Sequence, residues 1–395
     1  MFKPIFFTLI FAFLSILTFG QDTLRTYHAE DTLKVKEVVL LVNGKANGTV
    51  KRYDLEGRLV VIGTLKNEQR HGVFYDLDPE TGDTLRQVTF QNNQREGEAL
   101  SFYSDGKLQQ RSNFVANKLE GEVLSFFEDG ALSEKTPFLA NKPEGISLKY
   151  YPNGSIQSKI SYLAGQFHGT REDYDESGML QYQGNYERGM LHGKEESFFP
   201  DGSLRSRLFF NFGELDGPYL LQHPNGQPER VGNYKKGVPQ GELLSYYPGG
   251  ALKQKTTFDK GIPSSPSSSY YESGTIQQQE FYSKKGEKIK EENYYPSGKL
   301  ASRIPFLNDL EGGEAILYYE NGKAQEIRRF YKGKLDGIRE FFDSNGVLLR
   351  TETYELGNKI NKYPASSPLA KSIFLFLPKR ILHEQSHQRN SFFLS

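Results

Sequence analysis

A subset of the glycines in this chain recurs at a nearly constant spacing, and that spacing limits what the chain can fold into. Consecutive members lie 24 residues apart, after a first spacing of 25. A fixed period indicates an array of structural repeats, in which each repeat stacks only on its neighbours. The thirteen turn glycines are Gly57, Gly82, Gly106, Gly130, Gly154, Gly178, Gly202, Gly226, Gly250, Gly274, Gly298, Gly322 and Gly346.

Each repeat has the pattern of two short strands. After Gly106, the residues Leu108, Gln110, Ser112 and Phe114 alternate with polar side chains, and this period of two is typical of a strand. A turn follows at residues 117–118, and a second strand precedes the next turn glycine. Turns this short join antiparallel neighbours. The sequence therefore predicts an all-β fold, an elongated single-layer antiparallel β-meander of about 13 repeats with two strands each.

Two further slots recur, where a slot is a position counted from the turn glycine of its repeat. Slot +8 is aromatic in 12 of 13 repeats, and slot +15 is usually a second glycine. We expect the turn glycines to need positive φ, and the second glycines to lie beneath a neighbouring aromatic ring. The second glycines are Gly48, Gly72, Gly97, Gly121, Gly145, Gly169, Gly193, Gly217, Gly241, Gly313 and Gly337; Ser265 and Ile289 replace them in two repeats.

The sequence divides into four segments. Residues 1–20 combine Lys3 with an apolar run, the pattern of a secretory signal peptide, with an uncleaved anchor as the alternative. Residues 21–42 form a lead-in and first strand, and residues 43–357 are the repeat array. Residues 358–395 form a basic, partly apolar tail that either caps the sheet edge or is disordered. Residues 261–292 depart from the pattern and indicate either a decayed repeat or a hinge.

Composition excludes several classes of function. The chain has no Cys, so it forms no disulfide, zinc–thiolate site or Cys nucleophile. Its formal net charge is +0, and because the tail is basic the repeats are acidic on balance. A nucleic-acid partner would require clustered basic residues on one face, so none is expected.

We expect no catalytic residues, no cofactor and no metal site, because repeats place like residues in rows instead of bringing unlike residues together. His71, His168 and His192 share slot +14, where polar turn residues are the simpler interpretation. Glu120, Glu144 and Asp216 share that slot, and there we expect solvation and local hydrogen bonds. His223 is expected to be a solvated turn residue. An acid–base pair would need two carboxylates in unlike environments.

Paired aromatics give the one candidate binding surface. In pairs such as Tyr246-Tyr247, adjacent strand residues point to opposite faces, so the second ring should lie on the second face of the sheet. These rings either cover Lys and Arg side chains or form a flat aromatic strip for a protein or glycan. The aromatic strip consists of Tyr103, Phe127, Tyr151, Phe199, Tyr247, Tyr271, Tyr295 and Tyr319.

The repeat unit resembles the MORN repeat, in the bacterial variant of the YwqK antitoxin-like family. The segments Tyr162–Gly169 and Tyr331–Gly337 carry the resemblance, which extends over about residues 43–357. It implies protein scaffolding or lipid contact, and the YwqK likeness implies neutralising a toxin. The chain departs from the pattern in having no Trp and in carrying a signal segment. We therefore expect a non-enzymatic, exported binding or scaffold protein at the cell envelope, in the periplasm, at the outer membrane or outside the cell. The alternatives are an antitoxin-like neutraliser and a glycan or lipid partner.

Overall fold

A computed structural model describes residues 22–361 of the chain. The predicted signal peptide and residues 362–395 of the predicted tail lie outside the described residues. The chain divides into two compact units, with the boundary between Gly202 and Ser203. Each unit is built from β-strands.

The described part of the first unit, from residue 22 onward, contains eighteen strands, in chain order. They are β1 (Asp22–Tyr27), β2 (Val35–Val42), β3 (Lys45–Tyr53), β4 (Leu59–Lys66), β5 (Gln69–Arg70), β6 (Gly72–Leu77), β7 (Thr84–Gln91), β8 (Gln94–Phe102), β9 (Leu108–Val115), β10 (Lys118–Leu119), β11 (Gly121–Phe126), β12 (Leu132–Leu139), β13 (Lys142–Pro143), β14 (Gly145–Tyr150), β15 (Ile156–Leu163), β16 (Gln166–Tyr174), β17 (Leu180–Glu187) and β18 (Met190–Phe198).

The second unit also contains eighteen described strands. They are β19 (Leu204–Asn211), β20 (Glu214–Leu215), β21 (Gly217–Gln222), β22 (Pro228–Lys235), β23 (Val238–Pro239), β24 (Gly241–Tyr246), β25 (Leu252–Asp259), β26 (Ile262–Tyr270), β27 (Ile276–Tyr282), β28 (Lys288–Tyr294), β29 (Leu300–Leu307), β30 (Leu310–Glu311), β31 (Gly313–Tyr318), β32 (Ala324–Tyr331), β33 (Lys334–Leu335), β34 (Gly337–Phe342), β35 (Leu348–Glu355) and β36 (Asn358–Asn361).

Within each unit the strands pair with their neighbours in the chain, and the pairing is antiparallel. β8 and β9 are typical: Gly97 lies opposite Phe114, Ala99 opposite Ser112, and the register shifts by one residue next to Phe102. The same shift recurs beside the first aromatic of the other pairs, for example in β14 and β24. The predicted all-β antiparallel meander is confirmed.

The second strand of the repeat, predicted to be continuous, is interrupted in several repeats. In seven repeats it is split into a two-residue segment, such as β10, and a longer segment that begins at the second glycine or next to it, such as β11. The residue between the two segments still bonds to the preceding strand, since the Glu120 amide donates to the Asn113 carbonyl at 3.0 Å. The interruption is therefore a local bulge within one strand.

The expected reason for the second glycines, a covering aromatic ring, is wrong for ten of the eleven; at Gly217 a Cβ would lie 3.5 Å from the ring carbon Cγ of Phe209. All eleven have positive φ, between 73° and 133°, which a residue with a Cβ adopts only under strain. A Cβ added at Gly121 would meet nothing within 4 Å, so no ring covers it. The bulge needs the backbone conformation. A ring does cover a different glycine, because a Cβ at Gly63 would lie 2.4 Å from the ring of Phe74.

The units have little dry interior, as a single layer of strands requires. Seven of the described apolar residues are buried, and four of them form a small cluster in the first unit, namely Val39, Val50, Phe74 and Phe90. Most of the other buried residues that the structure describes are polar, and several of them are hydrogen-bonded across strands. Thr136 Oγ1 lies 2.6 Å from Ser147 Oγ, and Thr256 Oγ1 lies 2.6 Å from Ser267 Oγ. Paired hydroxyls avoid the cost of burying an unsatisfied polar group.

The repeats that depart from the pattern keep their strand pairing. β26, with its two prolines, pairs with both β25 and β27, and its Ser267 and Ser268 are buried. The charged repeat replaces apolar contacts with ion pairs. Glu292 accepts hydrogen bonds from Lys290 and Arg303, and Lys288 pairs with Glu280 at 2.9 Å.

Candidate binding surface

The aromatic strip lies at the turns and not within the strands. β8 ends at Phe102, and Tyr103 opens the turn: its amide donates to the Lys107 carbonyl, and its carbonyl accepts from the Gly106 amide, both at 2.9 Å. The strand alternation that placed the second ring on the opposite face therefore does not apply to it. The two aromatics of each pair still have different surroundings. The first is the last residue of its strand, and the second lies in the turn that follows.

Six tyrosines of the strip form what we call the tyrosine clamp. Each hydroxyl donates a hydrogen bond to a backbone carbonyl 23 residues later, at the end of a strand in the next repeat. The bonds are Tyr103 to Phe126 (2.7 Å), Tyr151 to Tyr174 (2.9 Å), Tyr247 to Tyr270 (2.8 Å), Tyr271 to Tyr294 (2.9 Å), Tyr295 to Tyr318 (2.7 Å) and Tyr319 to Phe342 (2.9 Å).

Histidine takes the same role at two places. His223 Nε2 lies 3.1 Å from the Tyr246 carbonyl, and His28 Nε2 lies 3.1 Å from the Tyr53 carbonyl. The expectation that His223 is a solvated turn residue is wrong, because its ring is half-buried and bonds to the next repeat. The sequence signal was its slot, −3, which it shares with the clamp tyrosines.

All eight residues of the aromatic strip are half-buried, so each ring keeps part of its surface in contact with water. Tyr247, Tyr271, Tyr295 and Tyr319 follow one another in successive repeats, and the Lys253 ammonium lies 5.6 Å from the Tyr247 ring centre. Phe127 and Phe199 have no hydroxyl and place a ring at the slot without the clamp bond.

A second row of bonds between repeats runs through slot +14. Glu120 Oε1 accepts from the Ala140 amide at 3.0 Å, and Glu144 Oε2 accepts from the Ala164 amide at 2.6 Å. These carboxylates were expected to make local bonds, but they reach the turn of the following repeat. The backbone adds a parallel bond, from the Asn141 amide to the Leu119 carbonyl at 3.1 Å. At the related position of Asp216, the amide donates to the Phe209 carbonyl at 2.8 Å.

The three histidines of slot +14 have different surroundings. His168 is exposed, His71 is half-buried, and His192 Nε2 lies 3.6 Å from Glu187 Oε2. Within residues 22–361, no three His, Asp or Glu side chains converge as metal ligands would.

Burial and ion pairing shift pKa values mainly inside the sheet. Burial, together with a hydrogen bond to Glu292, raises the pKa of Tyr294 to about 12. Burial pushes the pKa of Glu292 upward, but hydrogen bonds from Lys290, Tyr294 and Arg303 hold it below its ordinary value. Both groups therefore keep one charge state near neutral pH, as structural partners do.

A shallow depression in the first unit was not foreseen from the sequence. Its volume is about 370 Å³, and its lining includes Arg70, Arg86 and Arg95 together with the buried Phe90 and Phe114. The signal that could have revealed it is slot +13. That slot is Leu, Pro or Phe in eight repeats, and it is Arg at positions 70 and 95.

The family comparison agrees with the repeat length, the paired aromatics and the glycine bulge. A family model described as the MORN repeat variant matches nine segments of the chain. The chain carries MORN repeat variants. The matched segments are residues 95–116, 143–164, 167–188, 191–211, 215–236, 239–260, 266–284, 289–308 and 335–356.

Other comparisons add little to the MORN repeats. No curated protein shows significant similarity to the chain. One solved structure, the crystal structure of TcdB2-TccC3-Cdc42, is similar over 85% of this chain and 22% of that chain, with 12% sequence identity and a TM-score of 0.16. The MORN-repeat chain thus spans less than a quarter of that chain's length. Among residues 22–361 there is no helix that could cross a membrane.

Proposed function

We propose that this MORN-repeat chain is a non-enzymatic binding or scaffold protein, exported to the cell envelope, with a protein as its partner. The observation that carries the proposal is the aromatic strip. Repetition sets half-buried rings at one slot of successive repeats, where they offer apolar surface together with fixed backbone groups. Aromatic rings are enriched where proteins bind one another.

The arrangement favours binding over catalysis. An enzyme needs unlike groups in unlike environments, whereas the rows of this fold repeat one group in one environment. The clamp also holds each tyrosine in one orientation, which lowers the entropy that a ring loses on binding. Export is supported by the signal-like pattern of residues 1–20.

The experiment is a crosslinking pull-down from envelope fractions with the chain from Gln21 onward, in three forms. The forms are the natural chain, a triple Phe variant and a triple Ala variant at Tyr247, Tyr271 and Tyr295. The Phe variant keeps the rings and loses the clamp bonds, so it should retain capture with lower stability. The Ala variant loses the rings and should lose capture while the circular dichroism of the strands remains. Undiminished capture by the Ala variant would contradict a role for the strip, and capture of nothing by the natural chain would contradict the function.

A second candidate function is an antitoxin-like neutraliser, favoured by the resemblance of segments such as Tyr162–Gly169 to the YwqK-type variant. It predicts one toxic protein as the partner, encoded beside this chain. Co-expression should then restore growth of cells that make the toxin. Growth that stays arrested would exclude the antitoxin function and leave the scaffold function as the remaining candidate. Capture of glycan or lipid without protein in the pull-down would contradict both functions.

A further inference from the structure

Two neighbouring arginines occupy a slot that is usually apolar. Slot +13 lies next to the aromatic of slot +8 and is filled, for example, by Leu119, Pro143 and Leu215. Arg70 and Arg95 take it in consecutive repeats, where they lie opposite Leu65 and Phe90. Charge has entered these positions while the strand pairing has stayed the same.

Each guanidinium stacks on the aromatic of the next repeat. Arg70 Cζ lies 4.2 Å from the ring centre of Phe90, and Arg95 Cζ lies 4.1 Å from that of Phe114. Both rings are 8% exposed and are therefore fixed. Stacking covers one face of a guanidinium and leaves its N–H edge free to bind. Arg95 Nη2 donates a hydrogen bond to the Asn117 carbonyl at 3.2 Å.

Small side chains create the depression between the two arginines. Ala99 and Ser112 lie opposite each other in β8 and β9, and each is 8% exposed. The slot of Ala99 holds Phe74 in the repeat before and Val123 in the repeat after. The smaller residue opens a space with an apolar floor and a polar rim.

The depression is positively charged. Arg86 contributes a third guanidinium, which Asp76 neutralises at 2.6 Å. No Asp or Glu lines the depression, and among residues 22–361 neither Arg70 nor Arg95 has a carboxylate partner. The contrast is with arginines such as Arg328, which bonds to Glu326 with two nitrogens.

We propose that Arg70 and Arg95 bind carboxylate side chains of an acidic segment in the partner protein, and that the floor of the depression takes an adjoining apolar side chain. The inference rests on the proposed binding function and names the chemistry of its partner. The planar guanidinium edge matches a carboxylate with two parallel hydrogen bonds. The volume is at the lower end for ligand pockets, which suits one or two side chains of a peptide.

The test uses the chain from Gln21 onward and a fluorescein-labelled hexapeptide of alternating Glu and Leu. Fluorescence anisotropy at an ionic strength of about 0.15 M, where exposed charges outside the depression are largely screened, should show binding. The same peptide with Gln in place of Glu should bind far more weakly. The variant R70L/R95L should bind the Glu peptide about tenfold more weakly or worse, because charged hydrogen bonds are the strong ones. Leu already fills this slot in other repeats, so the variant should keep its thermal midpoint.

The matched control is K66Q/K118Q, which removes two exposed positive charges from the same unit outside the depression. It should change peptide binding by less than about twofold, because exposed charges are screened. Equal binding by R70L/R95L and the natural chain would overturn the proposal. So would arginine-dependent binding of inorganic phosphate, or of phosphatidylserine–phosphatidylcholine vesicles, without peptide binding. If the envelope pull-down succeeds with both the natural chain and R70L/R95L while the Glu peptide fails to bind the natural chain, the proposed function survives and this site does not.

Discussion

The second glycine of each repeat is required by its backbone, and the surrounding space varies. Gly121 has a φ of 79° and open space where a Cβ would be. Gly217 has a φ of 133°, and a Cβ there would lie 2.9 Å from the Cβ of Phe209. All second glycines thus share the need for a positive φ, and in some repeats a neighbouring side chain also leaves no space for a Cβ.

Replacing these two glycines should separate the two demands. Gly121→Ala should lower the free energy of unfolding by about 1–2 kcal/mol, the cost of a left-handed conformation. Gly217→Ala should cost more, since Phe209 must also move. Urea denaturation of the two variants measures both costs, and an equal loss would show that the close approach at Gly217 is relieved without cost.

The sequence predicted the repeat but not the bonds between repeats. Periodicity located the turns and the strand pairs, because glycine and alternation act locally. It did not show that the Tyr271 hydroxyl or the Glu120 carboxylate reaches the next repeat, since the distance across a turn is set by the register shift beside each aromatic. The depression was missed for a similar reason. Arg70 and Arg95 break the pattern of one slot, while the space between them depends on Ala99 in another.

At the scale of strands, ion pairs replace apolar packing in the second unit. Glu326 on β32 is 7% exposed and accepts hydrogen bonds from Arg328 at 2.6 Å and from Arg339 on β34 at 2.5 Å. Burial acts to raise the pKa of Glu326, but the two arginines hold it below its ordinary value of 4.5. The carboxylate therefore joins two strands as long as it stays charged.

This link should weaken in acid. A carboxyl group whose pKa is lowered by folding stabilises the fold above its ordinary pKa, and that contribution is lost as the pH falls through the folded value. Glu326→Gln should therefore cost about 1–3 kcal/mol at pH 7, and the difference from the natural chain should shrink on going from pH 4.5 toward pH 3. Urea denaturation across this range measures it. A difference that stays constant with pH would show that the charge of Glu326 contributes nothing.

At the scale of the whole molecule, stability should be close to a sum over repeats and their contacts. Each strand pairs only with its chain neighbours, and the clamp bonds span one repeat length. Removal of one full repeat should therefore leave the others with the partners they need.

Deletion of residues 155–178 tests this additivity. It joins Gly154 to Met179 in the same register, and the Tyr151 hydroxyl should then bond to the Phe198 carbonyl in place of Tyr174. We expect a folded chain with cooperative unfolding and a somewhat lower midpoint by circular dichroism. Deletion of residues 155–166, half a repeat, is the control and should disrupt the neighbouring pairs. Equal thermal midpoints and equal cooperativity in the two deletions would contradict the stacking of discrete repeats.

The tyrosine clamp gives the molecule a direction. Every one of its hydrogen bonds is donated by an earlier repeat and accepted by a later one, so consecutive repeats within a unit are not exchangeable by reversal. A repeat duplicated in tandem contains both the tyrosine hydroxyl that donates to the following repeat and the backbone carbonyl that accepts from the preceding one. Duplication of a whole repeat therefore preserves every existing clamp bond. A change in repeat number can thus lengthen or shorten the surface at little cost in stability.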